Sequence, residues 1–166
     1  MRGYLLDTMM IAFWHNPRLP EHEPTLRRIE SLDPHSPLRI SAVTWGEIQY
    51  GHRCVSGTET GVQTLFTQFV ERSLPSVLEI RKTTAIYYGE IRARLFAKYA
   101  PQRERRSLRP EQLVDPVTAT AIGIQENDLW IAAQAIEHNL VLVTHDKLAR
   151  LKDVASDLLE LEDWVV

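Results

Sequence analysis

Short apolar runs alternate with amphipathic stretches along nearly the whole chain. GYLL at 3–6, LRIS at 38–41, VLEI at 77–80 and LVLVT at 140–144 read as short buried strands, and LLELE at 158–162 as a last, shorter one. Between them, residues 8–15 begin a helix, and 22–32, 42–54 and 58–72 read as further helices. A longer helix runs from Thr83 to Tyr99, where Ala85, Tyr88, Ile91 and Leu95 recur at helical spacing. Asn127 is suited to cap a helix whose Leu129, Ala132, Ala133 and Ile136 share one face, and Asn139 to end it in the left-handed conformation. Strands separated by helices favour a parallel sheet covered on both faces, with sites beyond the carboxyl ends of the strands. The pattern lapses from Pro101 to Gln125, which carries Pro101, Pro110 and Pro116 and no clear period. That length exceeds most connections in a compact domain and predicts a functional flap or a partly ordered insert.

Composition narrows the class. A chain of 166 residues, 44% hydrophobic, suffices for one domain spanning 1–166 with a real core, and no repeat, low-complexity tract or linker divides it. The longest apolar runs fall well short of the roughly 20 residues that cross a bilayer, and the N-terminus lacks the apolar stretch of a signal peptide. A soluble, cytoplasmic protein without membrane association is expected. Cys54 is the single cysteine, which excludes an internal disulfide, and the six histidines show no His-x-x-x-His pairing, so the usual zinc sites are not expected.

Charge is uneven. The net value is −3, yet residues 81–109 hold nine Lys or Arg against Glu90 and Glu104, so a segment of +7 is set against a remainder of −10. An acidic body with one basic strip suits an enzyme that handles a polyanion through its own carboxylates; a solvated helix face is the plain alternative. Glu90 lies four residues before Arg94, the spacing of an exposed helical ion pair.

Four acids stand at the edges of apolar runs: Asp7 ends GYLLD, Glu47 lies in SAVTWGEIQYG, Asp128 opens NDLWIAA, and Asp146 follows LVLVTHD. Each has an ordinary explanation. Thr44 and Glu47 match a capping box, Asp128 favours the macrodipole at a helix start, Asp7-Thr8 can open a helix, and Asp146-Lys147 can form a turn. Taken jointly they point elsewhere. If the strands before Asp7 and Asp146 are neighbours, those carboxylates meet at one sheet edge, and Asp128 and Glu47 can be aimed there from helix turns. Crowded carboxylates repel unless a cation compensates, and their oxygens are the ligands that hard ions such as Mg²⁺ or Mn²⁺ demand. The chemistry implied is metal-assisted phosphodiester hydrolysis, with one or two ions.

The same segments resemble the PIN-domain ribonucleases, and most of all the VapC-type toxins of bacterial type II toxin–antitoxin pairs. YLLDT resembles the opening strand of the family; Ser41, Thr44, Glu47 and Gly51 its Ser-x-x-Thr-x-x-Glu-x-x-x-Gly stretch; NDLWIAA its Asn-Asp helix; Thr144 and Asp146 its Thr-x-Asp strand end; and the closing LELEDW its usual end. The resemblance spans nearly the whole chain. It implies a three-layer α/β/α sandwich on a mostly parallel sheet, and an Mg²⁺- or Mn²⁺-dependent endoribonuclease that leaves a 5′-phosphate and a 3′-hydroxyl. Asp7, Glu47, Asp128 and Asp146 would form its acidic site, Asp7 and Asp128 as direct metal ligands, and Thr144 would be a supporting hydroxyl. It further implies an RNA substrate, a homodimer, and a cognate antitoxin whose tail fills the groove. Two features depart from the family. Met9 stands where a small polar residue is common, leaving that supporting role vacant or reassigned, and the 101–125 segment is long. Its Arg103, Arg105, Arg106 and Arg109 are candidates for gripping RNA backbone.

Other classes fit less well. A haloacid dehalogenase-type phosphatase needs a second carboxylate two residues after the first, where this chain has Met9. A phosphate-loop hydrolase needs a Gly-rich loop ending in Gly-Lys-Ser/Thr, and GTETG at 57–61 has no lysine. A non-catalytic RNA- or protein-binding module of the same fold has no use for a negative pocket. His145 should turn away from Asp146 across the strand end, and Trp45, Trp130, Tyr87 and Tyr88 are read as packing residues.

Overall fold

In the central strands apolar residues face both ways, so the sheet must be covered on both sides. The computed structural model, which describes residues 2–57, 59–146 and 148–165, shows how this is done. In chain order the elements are β1 (Gly3–Leu6), α1 (Thr8–His15), α2 (His22–Glu30), β2 (Leu38–Ser41), α3 (Ala42–Cys54), α4 (Glu59–Ser73), β3 (Val77–Leu78), α5 (Lys82–Tyr99), α6 (Glu126–Glu137), β4 (Leu140–Val143), α7 (Ala149–Ala155) and β5 (Glu160–Glu162). The strands form one sheet in the order β3-β2-β1-β4-β5, every pairing parallel. Thr58, the first residue of the expected fourth helix, and Lys147, expected in a turn with Asp146, lie outside the described residues.

Alternation along the strands divides the core. Leu5, Leu140 and Leu142 pack on one face against α5, α6 and α7 through Ile91, Leu95, Leu129, Ala132 and Leu151. Tyr4, Leu6, Val141 and Val143 pack on the other against α1, α3 and α4 through Met10, Ile11, Ile48 and Val70. This is the expected three-layer α/β/α sandwich, with a wholly parallel sheet. Each fully buried leucine contributes roughly 1.5–3 kcal/mol of transfer free energy, which makes β1 and β4 the firmest place to hang a functional group. Close packing also explains Gly3: a β-carbon there would lie 2.6 Å from Leu140 Cδ2 and 2.8 Å from Pro37 Cγ.

Several local expectations need correction. The strand expected at 77–80 has only two residues, because β3 is an edge strand paired through Ile40–Val77 and Ser41–Leu78, and at Arg81 the chain turns to give its amide to Thr84 Oγ1 and start α5. α7 is an addition to the expected elements, and its Leu148, Leu151 and Ala155 follow a helical spacing and are buried. The cap of α6 is Gln125 rather than Asn127. Asn139 does adopt the left-handed conformation, at φ 51.

The 101–125 segment is not a free flap throughout. Its first part, with Arg103, Arg105, Arg106 and Arg109, is exposed. Its second part docks on the α5–α7 layer: Pro110, Leu113, Ile122 and Ile124 are buried, Val114 and Ala121 form an antiparallel bridge, and Arg150 pairs with the buried Asp115 at 2.5 Å. Among the described residues no helix is long and apolar enough to cross a membrane.

Candidate active site

β1 and β4 are neighbours in register, Leu6 opposite Val143, so the residues that follow them leave the sheet side by side. The Asp7 amide donates to the Val143 carbonyl at 3.1 Å. Asp7 also opens α1, its Oδ1 accepting the Met10 amide at 2.7 Å, and the buried Thr144 hydroxyl beside it favours its ionised form. Glu47 arrives from α3. Ser41, not Thr44, caps that helix, its Oγ accepting the Val43 amide at 2.9 Å. The capping-box reading of Thr44 and Glu47 is therefore wrong, because the helix starts one turn earlier than such a box requires. Glu47 is free to reach outward, where it accepts from the Thr8 hydroxyl and, at 2.7 Å, from Asn127 Nδ2.

Asp128 comes from the first turn of α6 and serves two purposes. Its Oδ2 accepts the Gln125 amide at 2.7 Å, and the side chain borders the same cleft as the other acids. That cleft, of about 700 Å³, is lined by Asp7, Glu47, Asp128 and Asp146, with Thr8 and Gln125 as polar neighbours and Met9, Ala12, Ile122, Gly123 and Ile131 as its remaining walls. Asp146 sits exposed at the rim, its amide held by Thr144 Oγ1 at 3.0 Å.

The electrostatics are one-sided. No Lys, Arg or His lines the cleft among the described residues. Burial pushes the Asp7 carboxyl up to about 6; the Thr144 hydroxyl and Met10 amide pull it down, and Asp146 and Asp128 push it further up. Asp128 is likewise pushed up to about 6 by burial, against the pull of the Gln125 amide and with added repulsion from Asp146, Glu47 and Glu111. A group of carboxylates with no protein countercharge is suited to a divalent cation, and an all-oxygen donor set suits Mg²⁺ or Mn²⁺ better than a soft metal. Among the described residues no three His, Cys, Asp or Glu side chains are grouped as a ready-made metal cage; Asp7, Glu47 and Asp128 are each turned onto a local donor.

Sequence reasoning missed three residues here. Thr8 and Asn127 hold Glu47, and Gln125 connects Asp128 to the cleft wall; by residue type Asn127 suggests only a cap, and nothing in helical periodicity points to its contact across the cleft. Met9 lines the cleft and forms no supporting hydrogen bond, so the support for Asp7 comes from Thr144 instead. His145 turns away, as expected, to meet Asp163 Oδ2 at 2.9 Å. The four arginines of the loop do not line the cleft, and Arg105 is engaged with the Ala97 and Ala100 carbonyls at the end of α5.

This geometry has a counterpart among known families. The PIN domain model matches residues 4–156, most of the chain. The chain belongs to the PIN domain family. Among solved structures, the PIN chain is similar to VapBC2 from Rickettsia felis, bound there to a promoter DNA fragment, with 24% identity, a TM-score of 0.68, and 97% and 98% of the two chains covered. It is similar to VapBC-1 from nontypeable Haemophilus influenzae at 25% identity and a TM-score of 0.66, covering 98% of each chain. A third likeness, at 20% identity and a TM-score of 0.59 with 98% of each chain covered, is to VapBC-5 from Mycobacterium tuberculosis, a member of the VapBC family of toxin-antitoxin systems. No curated protein matches the chain by sequence. The PIN resemblance expected from the four acidic segments is thus borne out, and the PIN fold brings all four acids to one cleft.

Proposed function

We propose that this PIN protein is a metal-dependent endoribonuclease and the toxin of a toxin–antitoxin pair. The observation that carries the reading is the single cleft bordered by Asp7, Glu47, Asp128 and Asp146 without any described basic side chain. Asp7 and Asp128 would hold Mg²⁺ or Mn²⁺, with Glu47 and Asp146 completing the negative field. When bound, the metal supplies an acidified water and stabilises charge on the phosphoryl oxygens. Thr144 fixes the Asp7 carboxylate. Thr8 and Asn127 leave Glu47 oriented toward the cleft, where its oxygens can align an attacking water and accept its proton. Met9, Ala12, Ile122 and Ile131 give the cleft apolar walls that limit bulk water around the acids.

Structured RNA incubated with the purified protein should be cut in Mg²⁺ or Mn²⁺ and left intact with chelator, as gel analysis of the fragments would show. RNA retention without cleavage under all three conditions would favour the binding-module reading. A short reading frame of antitoxin size beside the gene, encoding a partner that co-purifies as a complex and silences cleavage, would support the toxin assignment. A homodimer is part of the same proposal.

RNA would approach past the exposed Arg103, Arg106 and Arg109. Reversing these three charges should weaken RNA binding evenly across sequences and reduce the salt slope by about 0.7 for each lost contact to a single strand. An unchanged slope in a filter-binding titration would remove these arginines from the substrate path.

A further inference from the structure

Glu111 does not line the cleft, yet it is tied to the acids that do. It belongs to a 3₁₀ turn, Pro110–Gln112, started by a proline and closed by Gln112 Oε1, which accepts the Arg109 amide at 2.7 Å. From this turn, Glu111 Oε1 accepts the Glu126 amide at 2.8 Å. That amide opens α6 and has no partner within the helix, while the one before it, of Gln125, is taken by Asp128 itself. The other side of the same residue is held by α5: Arg92 donates to the Glu126 carboxylate at 2.8 and 3.0 Å, and the Tyr88 hydroxyl donates to it as well. The first turn of α6 is therefore gripped from two sides. It carries Asp128 and Gln125 to the cleft wall and Asn127 to Glu47.

We propose that Glu111 is a positioning residue for the acidic site: from the docked part of the 101–125 segment, its carboxylate sets the first turn of α6, and through that turn Asp128, Asn127 and the Glu47 that Asn127 holds. The role rests on the nuclease reading of the cleft for its consequence, though not for its geometry. It also gives the long segment a task apart from any contact with RNA, since undocking residues 110–124 would remove one of the two grips on the first turn of α6.

The test compares Glu111→Ala, Glu111→Gln and Asn139→Ala, the last weakening the opposite end of the same helix by placing alanine at φ 51. Three measurements apply: the Asn127 side-chain and Asp128 backbone amide resonances of the metal-free protein, Mn²⁺ affinity by calorimetry, and steady-state RNA cleavage. Glu111→Ala should shift those resonances, weaken Mn²⁺ binding about tenfold and lower kcat about tenfold with little change in KM. Glu111→Gln keeps an oxygen acceptor and should restore the resonances and most of the binding and rate, and Asn139→Ala should leave all three measurements near wild type. Unmoved resonances in Glu111→Ala, equal disturbance by Asn139→Ala, or failure of Glu111→Gln to restore would each overturn the role. If the wild type neither takes up Mn²⁺ nor cuts RNA, the nuclease reading falls, and the resonance comparison still decides for or against Glu111.

Discussion

Asp7→Asn and Asp128→Asn should each slow RNA cleavage on the order of 10²–10³-fold, equivalent to about 3–4 kcal/mol of lost transition-state stabilisation. The expectation follows from what each substitution spares. Asparagine keeps an oxygen where Asp7 accepts the Met10 amide and where Asp128 accepts the Gln125 amide, so both helix starts survive. What disappears is one unit of negative charge and one hard ligand oxygen in a cleft whose only described charges are carboxylates. Single-turnover cleavage of a structured RNA in Mg²⁺ and in Mn²⁺, with circular dichroism to verify folding, measures the loss. Glu90→Gln provides the control: that acid pairs with Arg94 at 2.7 Å on the exposed side of α5, and its loss should leave the rate unchanged. Cleavage by the two asparagine variants at the wild-type rate would remove Asp7 and Asp128 from the chemistry.

The parts of this fold legible in the sequence are those that hydrophobic periodicity controls. β1 and β4 stand out because they are apolar on both faces, and their placement at the sheet centre explains why Asp7 and Thr144 meet at one edge. α5 is legible from helical spacing to within one residue, and α6 to within two at its start. The failures lie where local chemistry competes with period. Glu47 fits a capping box on paper, but Ser41 starts the helix earlier and frees the acid for the cleft. Asn127 is a good cap by type, yet Asp128 closes the helix from inside its first turn and Asn127 is used across the cleft instead. The 101–125 segment has no period because its buried residues, Leu113, Ile122 and Ile124, dock singly between turns. Glu111 could not be singled out by any spacing rule, since its partner amide lies 15 residues on in a different element.

The metal-free protein should become more stable when Asp7 is replaced by Asn at pH 7.5, by on the order of 2 kcal/mol, a value below the roughly 3 kcal/mol that a shift of about two pKa units sets as an upper limit. The sign follows from the direction of the shift. The Asp7 carboxyl sits at about 6 in the folded protein against an ordinary 3.8, so folding favours its protonated form. The stabilisation from that protonated form is fully present below about 3.8 and is lost as the pH rises through about 6. Asparagine resembles the protonated acid at every pH, so its advantage should be full at pH 7.5 and shrink steadily as the pH falls toward 4. Asp128 carries the same shift from the same leading cause, burial, and should behave alike. The carboxyls held below their ordinary values, among them Glu111, Asp115 and Asp157, lose their contribution only at lower pH. His15, pulled down by burial, opposes the trend equally in both proteins and cancels from the difference. Saturating Mn²⁺ should reverse the ranking at pH 7.5, because binding to the ionised site stabilises the wild type and leaves the variant behind. Urea unfolding of both proteins at pH 5.0 and 7.5, with chelator and with Mn²⁺, gives the four differences. A stability gap equal at both pH values would show that Asp7 is ionised on both sides of the window, and would remove burial as a force holding its carboxyl above the ordinary range.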